Sequence, residues 1–420
     1  MSGLAIVAKQ LGAAVTGSDR GESSYTERLR QRGIEPLLGH RAENVPPGAE
    51  VVYSTAVPPS NPERAAAAGR ELHRADLLAQ IASLRRCLAV TGTHGKTTTA
   101  GMVVQALHGC GLEPSYVIGG ELRATGANAG WGRGEWIVVE ADESDRSLLK
   151  LTPEIAVLTN AELDHHSTYS SRLELEQTFR EFMSRAGESA VVWDRPRLRA
   201  LCPRDAIPYD APEPELIPGG SRFRFHEVLV ELSVPGAHNA VNAAGALTAA
   251  TLAGADPALA AAALRAYAGA RRRFELLGES DHGVPVYDDY AHHPTEVAAV
   301  IDAARTLRPR RVVAVFQPHL YSRTQALAQR FGVALARADV VAVLDVYAAR
   351  ERAEEFPGVD GRLIAAAAAD AARGRTVGWV PTFDAARMFL VTTLRPGDLC
   401  LLMGAGDVDQ LGRSLVHAPG

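Results

Sequence analysis

Eight apolar runs recur along the chain, and each closes in small or polar residues. They are "AAVTGSD" (13–19), "EVVYSTAV" (50–57), "CLAVTG" (87–92), "WIVVEAD" (136–142) and "IAVLTN" (155–160), then "RVVAVFQPH" (311–319), "VVAVLDVY" (340–347) and "LCLLMGAGD" (399–407). Helix-like stretches separate them, and such alternation argues for an α/β protein of parallel sheets flanked by helices. Ligand groups in open α/β sheets gather at the carboxyl ends of strands. The polar residues that end these runs are therefore where chemistry is expected.

Three blocks are separable. Residues 1–84 end in the helical connector "HRADLLAQIASLRR", residues 85–269 end where an alanine-rich helix meets "RRRFELLG", and residues 270–420 form the third. A length of 420 residues fits three domains at about 150 residues each. A net charge of -5 offers no basic field, so neither nucleic acid nor a membrane surface is an expected partner. Cys87, Cys110, Cys202 and Cys400 lie far apart with no CxxC pair, as in a cytoplasmic protein with reduced thiols. No apolar run approaches the ~20 residues of a membrane span, and no basic-then-apolar leader opens the chain, so a cytoplasmic location is expected. The proline-rich stretch 203–220 reads as an irregular surface excursion.

The most informative segment is "CLAVTGTHGKTTTAGMVVQALH" (87–108), a strand-like run, a glycine-punctuated turn and a helix-like run. The usual phosphate loop would place a glycine at position 90, where Val90 stands, so the loop here is the shorter Gly92-Thr93-His94-Gly95-Lys96-Thr97. Such a turn presents backbone N–H groups and a helix N-terminus to an anion. Lys96 can reach phosphate oxygens, and the Thr97 hydroxyl can ligate Mg²⁺. Only Lys9, Lys96 and Lys150 are lysines among 44 basic residues, so the lysine after Gly95 stands out. The plain alternative is a strand–turn–helix joint whose glycines serve packing alone. Glu140, ending "EWIVVE", offers a hard oxygen ligand suited to Mg²⁺. Glu162, Asp164, His165 and His166 end the next run, where an imidazole can join a second metal with the acids orienting it.

"TGTHGKTTT", "VVEADESDRSLL", "NAELDHHSTY", "PGAHNAVNAAGA", "RRFELLG", "DDYAHHPTE" and "FQPHLYSRT" stand in the order found in the Mur ligases, and the chain resembles that family over nearly its whole length. The resemblance implies a UDP-sugar-binding Rossmann-like domain at 1–84, a central P-loop-like ATPase domain with a mainly parallel sheet at 85–269, and a Rossmann-like amino-acid-binding domain at 270–420. It implies ATP and Mg²⁺, with UDP-N-acetylmuramate and L-alanine as substrates. The implied reaction phosphorylates the lactyl carboxylate to an acyl phosphate, which the alanine amine then attacks. Catalysis is then positioning and charge neutralisation.

Residue by residue, the resemblance puts the transferring phosphoryl group on Lys96 within a nucleotide loop of Gly92, Thr93, His94, Gly95, Thr97 and Thr98. It puts Thr97 and Glu140 on one magnesium and His165 on a second, His166 falling where the family varies. His238, Asn239 and Asn242 match an adenine-binding pattern, for which helix capping by Asn239 is the plain alternative. Arg273 and Asp289 match contacts to the ATP phosphate and ribose, against the alternative of a solvated arginine hinge at 271–273. Tyr290, His292, His319 and Arg323 match the surroundings of the incoming alanine, with Arg323 suited to grip its carboxylate. Ser54, Thr55 and Asn61 resemble a uridine-holding segment, and Asn128 is a candidate for the sugar. Closure about the hinge is expected, because ATP and alanine contacts come from different domains.

The family pattern opens with a strand and a glycine-rich turn that meets the UDP diphosphate. This chain opens at "MSGLA", without the first strand and most of that turn, so weak UDP-sugar binding by the chain as written is expected. No lysine follows Lys150, so the carbamylated lysine of several sibling ligases has no counterpart, which agrees with the alanine-adding branch. Two rivals remain: a sibling that attaches a tripeptide to the same sugar, and a non-catalytic nucleotide or sugar-nucleotide sensor. His319 and Arg323 favour a small free amino acid over the first, and the retained acceptor residues disfavour the second.

Overall fold

The computed structural model describes residues 1–165 and 168–416. The chain packs as two compact units, each discontinuous in sequence. The first takes Met1–Ala161, Leu173–Asp210 and Gly245–Ala263; the second takes Glu162–Arg172, Ala211–Ala244 and the chain from Leu264 onward.

The first unit is built on a seven-stranded sheet. Its order is Ile207–Tyr209, Ser189–Trp193, Ile155–Leu158, Arg86–Thr91, Trp136–Glu140, Ser115–Leu122, Ala127–Gly130. Every neighbouring pair is parallel except the last. Leu88, Ala89, Val90, Ile137, Val138, Val139 and Ile155 through Leu158 are fully buried, as a parallel sheet covered on both faces requires. Pro208 sits in the edge strand, where its missing N–H costs no ladder bond. The proline-rich stretch is therefore less irregular than its composition implies: it contributes Ile207–Tyr209 here and Glu215–Ile217 to a three-stranded antiparallel sheet.

The first block shows short parallel pairs, Ser18–Asp19 with Leu37–Leu38 and Val51–Tyr53 with Glu71–His73. The run at 13–19 forms a strand only at its last two residues, and residues 11–14 are exposed. Helix Ser2–Gln10 packs against strand Ala127–Gly130, where a Cβ on Gly3 would lie 3.0 Å from Ala129 Cβ.

The second unit carries a six-stranded sheet, ordered Glu275–Glu279, Pro285–Asp289, Asp398–Met403, Arg311–Phe316, Val340–Val343, Thr376–Trp379. Only its first pair is antiparallel. Separate apolar clusters gather around Ile301, Phe316 and Phe331 and around Val313, Leu390 and Leu402, giving a helix–sheet–helix sandwich. Among the described residues, no helix is long and apolar enough to cross a membrane.

Candidate functional site

In the first unit, strand Arg86–Thr91 runs into the glycine bend, and helix Lys96–Gly109 starts from Gly95. Gly95 caps that helix at φ 78, and Gly92 has φ 132, both in the region that glycine tolerates. The bend is braced from the neighbouring strand end. Asn160 Oδ1 accepts the His94 N–H at 2.8 Å, Asn160 Nδ2 donates to the His94 carbonyl at 2.9 Å, and Thr159 Oγ1 donates to the same carbonyl at 2.6 Å. Thr93 and His94 are buried, and Thr98 is half-buried on the first helical turn.

Lys96 folds back over the bend. Its ammonium donates to the carbonyls of Gly92 (2.7 Å) and Thr93 (3.0 Å) and lies 2.8 Å from Glu143 Oε2. Burial works against the charge, but Glu143, Asp142 and Glu140 outweigh it and hold the Lys96 pKa above its ordinary value. Thr97 Oγ1 lies 2.9 and 3.0 Å from the two Glu140 carboxylate oxygens, and the Gly119 N–H donates to Glu140 at 2.6 Å. A hydroxyl and a carboxylate converging at a helix N-terminus are hard oxygen donors of the kind Mg²⁺ takes, so this pair fits the ion.

The acidic loop that supplies Glu143 also reaches the N-terminal block. Arg74 lies 2.9 Å from Asp142 and 3.0 Å from Asp145, and Thr55 donates to Asp145 at 2.8 Å while lying 3.0 Å from His73 Nε2. Ser54 precedes it, its carbonyl accepting the Val57 N–H. Asn61 has a local occupation: its Oδ1 accepts the Glu63 and Arg64 N–H groups as the cap of helix Pro62–Ala66. Asn128 is buried against helix Ser2–Gln10, its Nδ2 beside Gly3, and its Oδ1 has no hydrogen-bond partner among the described residues.

The second unit gathers the acceptor candidates around Asp164. Arg323 Nε and a terminal nitrogen lie 2.9 and 2.8 Å from Asp164 Oδ1, with both residues almost wholly buried. Burial opposes the Asp164 charge, but Arg323 and the surrounding imidazoles hold its carboxyl well below the usual range. Arg323 also donates to His319 Nδ1 at 3.0 Å. The guanidinium expected on a substrate carboxylate is thus paired within the chain. His292 Nδ1 lies 2.9 Å from the Tyr290 carbonyl, and the Tyr290 and His292 rings meet edge to face. His165 has a left-handed backbone (φ 54) and its Nε2 lies 3.9 Å from Asp164 Oδ2; His166 lies outside the described residues.

The nucleotide candidates of the second unit have protein partners of their own. Asp289, the ribose candidate, accepts the Phe274 and Ala291 N–H groups, one on each oxygen. Arg273 lies 3.8 Å from Glu296 and over the Tyr290 ring. Asn239 and Asn242 lie three apart on helix Ala237–Leu252, sharing a face, and Asn239 Nδ2 donates to the Pro235 carbonyl at 2.7 Å, a contact in which the side chain is donor and caps no helix N–H. His238 is pushed down to about 4 by burial.

Residues 1–86, 90–250 and 272–406 match, in turn, the Mur ligase family catalytic domain, the Mur ligase middle domain and the Mur ligase glutamate ligase domain. The chain is 42% identical over 435 residues to the UDP-N-acetylmuramate–L-alanine ligase of Rubrobacter xylanophilus, covering 99% of this chain and 97% of that one. The chain belongs to the Mur ligase family. The Mur ligase of the same name from Pelotomaculum thermopropionicum is 43% identical, covering 99% of this chain and 94% of that one. The crystal structure of UDP-N-acetylmuramate–alanine ligase from Thermotoga maritima superposes with a TM-score of 0.83 at 26% identity, covering 99% of this chain and 95% of that one. Within this Mur ligase, sequence reading passed over Glu143, Asn160 and Tyr347. The cluster of acids at 140–145 and the polar end of "IAVLTN" are the signals that point to the first two.

Proposed function

We propose that this chain joins L-alanine to the lactyl carboxylate of UDP-N-acetylmuramate, using ATP to activate the acid as an acyl phosphate. The observation that carries the reading is the loop at 92–97: a glycine bend leading into a helix N-terminus, an arrangement suited to an anion, with one ammonium folded over it. The relatives of that name, matched over 97% and 94% of their length, supply the identity of acid and amine.

A carboxylate is a poor electrophile, and phosphorylation gives it a leaving group. Lys96 neutralises the transferring phosphoryl group, and backbone N–H groups of the bend orient it. Bound Mg²⁺ supplies further charge neutralisation, held by Thr97 and Glu140, with His165 for a second ion. His238, Asn239 and Asn242 take the adenine and Arg273 a phosphate, while Ser54, Thr55 and Asn128 line the sugar-nucleotide side. Tyr290, His292, His319 and Arg323 surround the amino acid. Domain limits at 84/85 and 269/270 and a cytoplasmic location complete the reading.

The test is phosphate release that needs ATP, UDP-N-acetylmuramate and alanine together. Lys96→Ala is expected to lower the turnover by at least about 100-fold. Undiminished turnover in that variant would overturn the assignment of the loop.

A further inference from the structure

Partners with only one hydrogen-bonding option fix the proton positions on two histidines. A backbone carbonyl only accepts, and a guanidinium only donates. His292 Nδ1 lies 2.9 Å from the Tyr290 carbonyl oxygen, so Nδ1 carries the proton and Nε2 presents a lone pair. Glu296, 3.3 Å from the same Nδ1, favours that arrangement. His319 is the reverse case. Its Nδ1 receives the Arg323 N–H at 3.0 Å, so the proton sits on Nε2. The Tyr347 ring stacks on His319 at 5.8 Å and 14°, fixing its plane. The two imidazoles stand 6.2 Å apart as opposite tautomers. Burial first, with Arg323 adding for both, pushes His292 down to about 4 and His319 to about 3, so both rings are neutral at ordinary pH.

Asp164 completes the corner. Its Oδ1 accepts from Arg323 and from the His165 N–H (2.7 Å). Its Oδ2 lies 3.9 Å from His292 Nε2 and 3.9 Å from His165 Nε2. Asp164 Oδ2 and His292 Nε2 are therefore two acceptors 3.9 Å apart, too far for a hydrogen bond to each other. Two acceptors in that relation are satisfied by a donor with more than one N–H, which is what an amine offers.

We propose that His292 Nε2 and Asp164 Oδ2 receive the incoming amine, and that His319 Nε2–H is a fixed donor to the oxygen that gains charge as the amide forms. This rests on the ligase reading above and adds the division of labour within it. The amine lone pair forms a C–N bond at the acyl-phosphate carbonyl carbon, and the carbonyl π pair moves to oxygen, which accepts from His319. Collapse breaks the C–O bond to phosphorus, and phosphate leaves with the electron pair. One N–H proton passes to His292 Nε2 and from there to phosphate or solvent. His319 cannot be the base, because Nε2 carries the proton and Nδ1 is taken by the Arg323 N–H.

Long-range ¹H–¹⁵N spectra of the full chain with labelled histidine read the tautomers directly, assigned with His292→Gln and His319→Gln. The expected pattern is Nδ1–H for His292 and Nε2–H for His319; the same tautomer in both, or the reverse, overturns the proposal. Kinetics provide the second arm. His319→Gln keeps an N–H near the Nε2 position and is expected within about tenfold of wild-type kcat, whereas His319→Leu loses about 100–1,000-fold. His292→Gln keeps an acceptor without a base, so kcat falls about 100-fold while KM for alanine moves little. Equal losses in the two His319 variants, or an unchanged kcat in His292→Gln, would overturn it. Wild-type protein without alanine-dependent phosphate release would instead sink the ligase reading, which the spectra do not depend on.

Discussion

Lys96 and Glu143 form a buried pair whose two members have different jobs. The carboxylate is fully buried and the ammonium largely so, at 2.8 Å. Removing one partner of such a pair leaves an uncompensated charge, which costs about 3 kcal/mol or more. Glu143→Gln is therefore expected to lower the melting temperature clearly, although glutamine matches the shape; an unchanged melting curve would show the pair to be idle. Lys96→Arg should not restore turnover. The planar guanidinium cannot sit between the Gly92 and Thr93 carbonyls as a compact ammonium does. Phosphate release near the wild-type rate in that variant would mean that any cation serves.

Among elements, the phosphate bend depends on Gly92 more than its spacing reveals. At φ 132 a side chain is strained, and a Cβ would overlap Thr159 Oγ1 and lie 2.9 Å from the Asn160 amide nitrogen. Gly92→Ala is expected to push the bend off its Asn160 brace and weaken ATP binding at least tenfold by calorimetric titration, an affinity cost of about 1.4 kcal/mol. Binding within twofold of wild type would show that the brace is dispensable. The strand, bend and helix were legible in the sequence because they follow from consecutive residues: an apolar run, two glycines, then the long stretch from Lys96 to Gly109. The pairings that position the chemistry were not. Thr97 meets Glu140 across 43 positions, His94 meets Asn160 across 66 and Arg323 meets Asp164 across 159. Local pattern marks each as polar and placed at an element end, yet says nothing of which polar group it faces. The same limit misjudged residues 13–17, apolar enough for a strand but exposed except at half-buried Val15, and the edge strand at Ile207–Tyr209, disguised by Pro208.

For the molecule as a whole, pH dependence is a contest between buried acids and buried imidazoles in the second unit. Asp288 is pushed up to about 6, burial outweighing the Arg272 guanidinium at 3.0 Å; its Oδ1 is buried without a hydrogen-bond partner among the described residues. Asp289 is likewise pushed up to about 7, burial outweighing Arg273 and two N–H donors. An acid raised from 3.8 binds its proton more tightly when folded. Its stabilising contribution is full below that value and is lost as the pH rises through about 6 or 7. His238, His292 and His319 run the other way: lowered from 6.5, they stabilise the fold above that value and cease to do so as the pH falls through about 4 or 3. Three imidazoles outweigh two carboxyls between pH ~4 and ~6.5, so stability should rise over that window, but less steeply than the histidines alone would give. Asp288→Asn removes one opposing group and keeps an acceptor for Arg272. Its stability relative to wild type should be poorest near pH 4 and recover by about 3 kcal/mol as the pH approaches 6. Urea denaturation of both proteins at several pH values measures that difference. A gap that widens with pH instead would mean that the Asp288 carboxyl is held ionised by Arg272 and that burial does not govern it.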